Sequence, residues 1–158
     1  MNILNKYNFC IFDCDGVILN SNELKVNAYR YALSEYSKTD VNKLIDYHKK
    51  NGGISRYMKF NFFFNNILKI SNFEQEYNNT LKKFEIFLKE HYHKAQFVDG
   101  VIKTFDFFIK NKKNIYIVSG SDEKELINLF NFKNLTSKFN LILGSPKDKI
   151  INTKKIIN

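Results

Sequence analysis

Short hydrophobic runs near both ends of the chain alternate with segments of helical period. The runs at residues 9–13, 115–119 and 141–144 are each bounded by polar or turn-forming residues. Runs of this length are typical of strands buried on both faces of a parallel sheet. Each run is followed, directly or after an insertion, by a segment with helical spacing, so the pattern predicts an α/β fold with right-handed crossovers.

The insertion after the first run is predicted to be entirely helical. Its apolar residues recur at three- and four-residue steps, which is the spacing of one helix face. Asn20 is the predicted N-cap of the first helix, with Glu23 three residues later as in a capping box. The predicted inward positions of this helix are Leu24, Ala28, Tyr31 and Ala32. The resulting domain prediction is a core made of residues 1–19 and 96–158, with a helical cap at residues 20–95.

Composition narrows the classes of function. The 158 residues carry a formal net charge of +9, and 44% of them are hydrophobic, enough for a packed core. The lysines are scattered without an arginine-rich stripe, which favours compositional drift over nucleic-acid binding. No apolar run is long enough to span a membrane, and no signal-peptide core precedes residue 9. With two cysteines placed too far apart to bridge easily, we expect a cytoplasmic protein with reduced thiols.

Polar clusters follow all three predicted strands. Asp13 and Asp15 end the first strand, residues 119–121 (Ser-Gly-Ser) end the second, and Lys147 and Lys149 follow the third. In an open parallel sheet, ligands bind beyond the carboxyl ends of the strands. We therefore expect these clusters to converge on one site. A strand-end turn is the alternative interpretation of Asp13 and Asp15 taken by themselves.

The types of residue in these clusters indicate phosphoryl transfer. Two neighbouring carboxylates repel unless a cation or proton intervenes, and Mg²⁺ prefers such oxygen ligands. Asp13 could attack a phosphoryl group as a nucleophile, and Asp15 could exchange protons with the leaving oxygen and with water. Ser119 and one of the two lysines could hold the phosphoryl oxygens.

The motifs resemble those of the haloacid dehalogenase superfamily, over nearly the whole chain. FDCDGVILNSN resembles the family's first motif, and YIVSGS resembles the second, with Ser119 and Gly120 at the phosphate-binding positions. GGISRYMKF resembles the cap loop of the phosphoglycolate phosphatase and β-phosphoglucomutase group, which places Arg56 where an arginine often meets the substrate. The resemblance implies a Rossmann-like parallel sheet with an inserted all-helical cap. It also implies a Mg²⁺ site formed by Asp13 and Asp15, the latter through its backbone carbonyl.

Two points in the resemblance are open. Either Lys147 or Lys149 could be the lysine of the third motif, and Lys149 is favoured by its spacing from Pro146. The family's fourth motif, a strand ending in G-D-x-x-x-D, has no counterpart before Asn158. From this we expect a core that lacks its last strand or strands, as in a chain truncated before that motif.

The predicted function is a Mg²⁺-dependent phosphohydrolase that acts on a small phosphorylated metabolite through an aspartyl-phosphate intermediate. The substrate could be a sugar phosphate, with Arg56 reading it from the cap. The alternatives are a truncated protein that only binds phosphate or a sugar phosphate and, less favoured, a phosphomutase. No nucleic-acid or membrane partner is expected, and the sequence does not determine the oligomeric state.

Overall fold

A three-stranded parallel sheet forms the base of the molecule. The computed structural model describes residues 6–158, so the first five residues of the predicted core segment lie outside the described residues. The strands pair in the order β1-β2-β3, which confirms the predicted parallel sheet. Among the described residues, β1 lies at one edge of this sheet and β2 at its centre. The strands are β1 (Phe9–Phe12), β2 (Asn114–Asp122) and β3 (Leu141–Ser145).

Seven α-helices accompany the strands in the described part of the chain. Five of them follow β1 before the chain returns to the sheet at β2, one lies between β2 and β3, and one follows β3. The third helix continues into a π-helical stretch, Phe63–Leu68. The helices are α1 (Asn22–Ala32), α2 (Lys38–Lys50), α3 (Arg56–Phe62), α4 (Glu74–His91), α5 (Val101–Lys110), α6 (Glu123–Phe132) and α7 (Lys149–Ile157).

The predicted cap of α1 is wrong. The helix begins at Asn22 with Ser21 in the N-cap position, and the Ser21 side chain makes no capping hydrogen bond. Instead the Ser21 hydroxyl donates to the Asp15 carboxylate at 2.6 Å. The Ser21 hydroxyl therefore binds the Asp15 carboxylate, whereas an N-cap side chain usually accepts a hydrogen bond from a backbone N–H group in the first turn of the helix.

The buried face of α1 also differs from the predicted one. Tyr31 is 48% exposed, whereas Tyr29 is almost fully buried. The face that packs inward carries Lys25, Ala28, Tyr29 and Ala32, at steps of three, one and three residues. A lysine thus lies on a stripe that is otherwise apolar or aromatic, and this lysine enters the site described below.

Aromatic side chains form much of the interior. Phe60, Phe63 and Phe64, from the FNFFFNN segment, are fully buried among the helices that follow β1. Below the cap, Phe12 of β1 packs edge-on against Phe105 and Phe108 of α5. One buried apolar cluster runs through the sheet and the cap. Among residues 6–158, no helix combines the length and the apolar character needed to cross a membrane.

Candidate active site

The three strand-end clusters converge beneath the cap. A cavity of about 110 Å³ is lined by Asp13 and Asp15, by residues 119–121, and by cap residues that include Lys25 and Lys59. Lys149 reaches the same place, because its ammonium donates to the Asp13 carboxylate at 2.7 Å. The convergence expected from the sequence is thus present in the fold.

Asp13 lies immediately beyond β1 and is partly accessible. One carboxylate oxygen accepts a hydrogen bond from the backbone N–H of Cys14 at 2.8 Å, and the other accepts from Lys149. The Asp13 side chain is 29% exposed. A carboxylate that is oriented on one side and open on another has the arrangement that a nucleophile needs.

The chain turns sharply after Asp15 to bring the loop back toward the cap. Gly16 has a φ of +77°, a left-handed conformation that favours glycine, and a Cβ there would lie 2.6 Å from the Asn22 amide nitrogen. The Cys14 carbonyl accepts hydrogen bonds from three successive backbone N–H groups, those of Val17, Ile18 and Leu19. This tight turn fixes both aspartates at the mouth of the sheet.

Asp15 is enclosed by donors on every side. Its carboxylate accepts hydrogen bonds from the hydroxyls of Ser21, Tyr92 and Ser121, at 2.6 to 2.7 Å. The Lys25 ammonium lies 3.6 Å away. Burial raises the pKa of Asp15, but the Lys25 charge and the three hydroxyl bonds outweigh it and hold the pKa below its usual value. Asp15 is therefore mostly ionised at neutral pH.

Lys25 was not among the residues predicted for the site. It is 5% exposed and donates to the Ser121 hydroxyl at 3.0 Å, while its ammonium lies 4.0 Å from the centre of the Tyr92 ring. It thus orients the same serine that donates to Asp15. The sequence signal that could have found it is its place on the buried stripe of α1, since a lysine in that register must find an internal partner.

Ser119 and Gly120 lie where the resemblance implied, at the end of β2. Ser119 is 1% exposed, and its hydroxyl accepts from the N–H of Ser121 at 3.1 Å. A Cβ at Gly120 would lie 2.3 Å from the carbonyl oxygen of Gly53, so the cap loop contacts this turn directly. The close contact shows that the cap is closed over the cavity.

The two lysines of the third cluster have different environments. Lys149 is the first residue of α7, whose N-cap Asp148 accepts a hydrogen bond from the N–H of Ile150. From this position at the start of the helix, the Lys149 side chain reaches the Asp13 carboxylate. Lys147 is exposed on the preceding loop. The geometry thus favours Lys149 as the lysine of the site.

Arg56 is turned away from the cavity. Its guanidinium pairs with both carboxylate oxygens of Glu125 and lies over the Phe84 ring, with 4.8 Å from its central carbon to the ring centre. Arg56 is 6% exposed and, among the described residues, is not part of the cavity wall. The structure therefore places Arg56 in a contact between cap and core. His48 of α2 lines the cavity.

The metal-ligating capacity of the site is limited to the two aspartates. Nowhere in residues 6–158 do three or more His, Cys, Asp or Glu side chains form a group that could hold a metal ion. Mg²⁺ usually keeps several waters and binds through one or two carboxylates, so oxygen ligands from Asp13 and Asp15 suit it in kind. The Asp15 carboxylate already accepts three hydrogen bonds, so of the two carboxylates that of Asp13 is the more available to a cation.

Known structures share this fold at low sequence identity. A predicted phosphatase from Clostridium acetobutylicum is 17% identical, with a TM-score of 0.73 over 96% of this chain and 71% of that one. A predicted phosphoglycolate phosphatase from Haemophilus somnus is 15% identical, with a TM-score of 0.68 over 89% and 64%. The Bacillus subtilis protein YfnB, whose structure is described as bound to magnesium, is 19% identical, with a TM-score of 0.63 over 94% and 72%.

These likenesses establish the fold, and the family follows from the sequence. The chain spans only 64 to 72% of the length of the three structures. Among curated proteins, no sequence match to this chain was found. The sequence model of the haloacid dehalogenase-like hydrolase family matches residues 10–155, nearly the whole chain. This match, together with the strand-end aspartates and the helical cap, shows that the chain belongs to the haloacid dehalogenase-like hydrolases.

Proposed function

We propose that the protein is a Mg²⁺-dependent phosphohydrolase that acts on a small phosphorylated metabolite through a covalent phosphoryl-Asp13 intermediate. The observation that carries this proposal is that Asp13 and Ser119 line one cavity beneath the cap, while the Lys149 ammonium donates to the Asp13 carboxylate. Family membership supports hydrolase chemistry, and the lysine beside the carboxylate supports an anionic substrate.

Each residue has a distinct role in the proposed reaction. The Asp13 carboxylate attacks phosphorus, the bond from phosphorus to the leaving oxygen breaks, and the leaving oxygen takes a proton from Asp15 in its protonated form. Ser119 and Lys149 hold the phosphoryl oxygens while negative charge redistributes among them. The Asp15 carboxylate that results takes a proton from the water that cleaves the phosphoryl-Asp13 bond, which releases phosphate and restores the protonated form of Asp15. Mg²⁺, held by the Asp13 carboxylate and the Asp15 carbonyl, would offset the charge of the phosphoryl group.

The nucleophile assignment is tested with Asp13→Asn. We expect hydrolysis of an aryl phosphate in the presence of Mg²⁺ to fall by at least about 10³-fold, because the amide cannot form the covalent intermediate. Asp46→Asn, which neutralises an exposed cap carboxylate, is the matched control and should leave the rate unchanged. Acid-quenched protein should retain phosphate in the wild type only. Activity that survives in Asp13→Asn would exclude this mechanism.

A further inference from the structure

A second cavity lies between α4 and α6. Its volume is about 340 Å³, whereas the cavity that contains Asp13 has about 110 Å³. The larger volume falls within the range of about 300 to 1,000 Å³ that is typical of small-molecule sites. Leu88 of α4 and Leu129 of α6, both almost fully buried, form an apolar part of its wall. The cavity therefore offers a ligand apolar contacts at a place that the proposed reaction does not use.

The two helices run side by side in the same direction along this cavity. At one end, Arg56 contacts both the Phe84 ring of α4 and the Glu125 carboxylate of α6. At the other end, the ring of His93, just after α4, lies 5.0 Å from the ring of Phe132, the last residue of α6. Side chains at corresponding positions along α4 and α6 therefore face each other across the cavity.

Two opposite charges on α4 line the cavity without partners. Glu85 and Lys89 are both exposed, and their spacing of four residues makes them neighbours on one face of the helix. Among the described residues, neither side chain has an ion pair or a hydrogen bond, and the same is true of the Asn128 amide on α6. Glu125 already pairs with Arg56, so Glu85 is the carboxylate available to a ligand.

The other end of the cavity is apolar and partly open. Phe132 is 65% exposed and lies beside the ring of His93. A hydrophobic group placed against Phe132 and Leu129 would remove apolar surface from water, which favours binding. Along the cavity, the order is thus a free carboxylate, a free ammonium opposite an amide, and an apolar end.

We propose that this cavity binds a free α-amino acid with a large apolar side chain. The ammonium of the ligand binds Glu85, and its carboxylate binds Lys89 and the Asn128 amide. Its side chain lies against Leu129 and Phe132. Both charges of an amino acid are attached to one carbon, which suits two residues one helical turn apart, and the side chain extends from that same carbon. A ligand with a single charge would leave one of the two α4 charges without a partner.

Two residues of the wall connect this cavity with the strand-end site. The Tyr92 hydroxyl donates to Asp15 at 2.7 Å, and Glu125 pairs with Arg56. A ligand between α4 and α6 adds contacts between elements that these bonds already join, so its binding should raise the melting temperature. The inference does not depend on the proposed phosphohydrolase function, because binding is measured without turnover.

Compounds that differ in their charged groups test the proposal. L-Phenylalanine and L-leucine carry both charges, 3-phenylpropionate lacks the ammonium, and phenethylamine lacks the carboxylate. In calorimetric titrations, we expect at least one of the two amino acids to bind with a Kd below about 1 mM, and the two singly charged compounds to bind at least about tenfold more weakly. Failure of both amino acids to bind, or equal binding of all four compounds, would overturn the proposal.

Variants of the two charged residues locate the site. Lys89→Met should weaken binding of the amino acid by about tenfold, so that phenylalanine binds no more tightly than phenethylamine binds to the wild type. Glu85→Gln should likewise reduce phenylalanine to the affinity of 3-phenylpropionate. Lys82→Met and Glu90→Gln, at exposed positions of α4 that are not among the described residues of the wall, are the matched controls and should bind as the wild type does. Unchanged binding in Lys89→Met and Glu85→Gln would overturn the proposal.

Discussion

Two buried lysines, Lys25 and Lys59, dominate the electrostatics of the site at the scale of single residues. Lys25 lies beside a carboxylate that stays ionised, whereas Lys59 is hydrogen-bonded to a neutral imidazole. Both lysines lie on the buried face of their helix, and Lys59 lies three residues after Arg56 and one before Phe60 on the inward face of α3. The same residue type thus has a charged partner at one position of the cavity wall and a neutral partner at another.

His48 gives the protein a stability that depends on pH. Its folded-state pKa is about 4, below the value near 6.5 of an unfolded chain, so between these values the unfolded state binds more protons. This contribution to stability is complete above about pH 6.5 and is lost as the pH falls toward 4. His48→Gln keeps an acceptor but does not titrate, so its melting temperature should fall less than that of the wild type between about pH 7 and about pH 5. Equal decreases in the melting temperatures of the two proteins would exclude His48 as the source of this pH dependence.

At the scale of elements, adjacent residues of α3 hold the cap to α6. Arg56 pairs with Glu125, and the Tyr57 hydroxyl donates to Asp122 at 2.9 Å. Asp122 also caps α6, accepting from the N–H groups of Lys124 and Glu125. One short helix of the cap is thereby fixed to the start of the helix that follows β2.

Breaking the Arg56–Glu125 pair should destabilise the protein. Glu125→Gln leaves the buried guanidinium without its counterion, and we expect a loss of about 3 kcal/mol in the free energy of unfolding, the lower end for buried pairs because Glu125 is 19% exposed. Asp106→Asn, which breaks the exposed pair with Lys138, should cost less than about 1 kcal/mol. Urea unfolding of both variants measures the two losses in the free energy of unfolding. Equal losses would show that the burial of Arg56 does not determine how much its ion pair stabilises the protein.

At the scale of the whole molecule, closure of the cap over the core depends on two glycines. The Gly53 carbonyl lies where a side chain at Gly120 would be, and Gly53 itself has a φ of +87°. A Cβ atom at Gly53 would lie 3.6 Å from the Lys149 ammonium. The cap loop therefore covers the lysine that pairs with Asp13. Closure thus limits the access of solvent to the proposed reaction site.

Gly120→Ala should prevent this closure. The added methyl group would contact the Gly53 carbonyl at 2.3 Å, so the loop must move away, and we expect kcat/KM to fall by at least about tenfold with little change in melting temperature. Gly52→Ala is the matched control, since nothing lies within 4 Å of its added methyl group. Steady-state kinetics with the substrate that the wild type hydrolyses compares the variants. Similar rates for both would show that the loop contact is dispensable.

Much of this architecture could be predicted from local patterns. The three strands end within a few residues of their expected positions, and the residues beyond them meet as expected, because the carboxyl ends of parallel strands share one edge. The N-cap of α1 was mispredicted, because Ser21 and Asn20 look alike as caps and the Ser21 hydroxyl binds the Asp15 carboxylate instead of capping the helix. The position of Arg56 could not be predicted, since its partner is 69 residues away.

The sequence by itself determined the fold class, the family and the identity of the strand-end residues, because periodicity and strand-end motifs are local properties of the chain. Tertiary structure alone decided which charges pair. It brought Lys25 to Asp15 and Lys149 to Asp13, turned Arg56 toward Glu125, and left Lys59 facing the cavity. The physical reason is that the free energy of a charge depends on its burial and on its neighbours in space, and both are fixed only when the cap packs on the core.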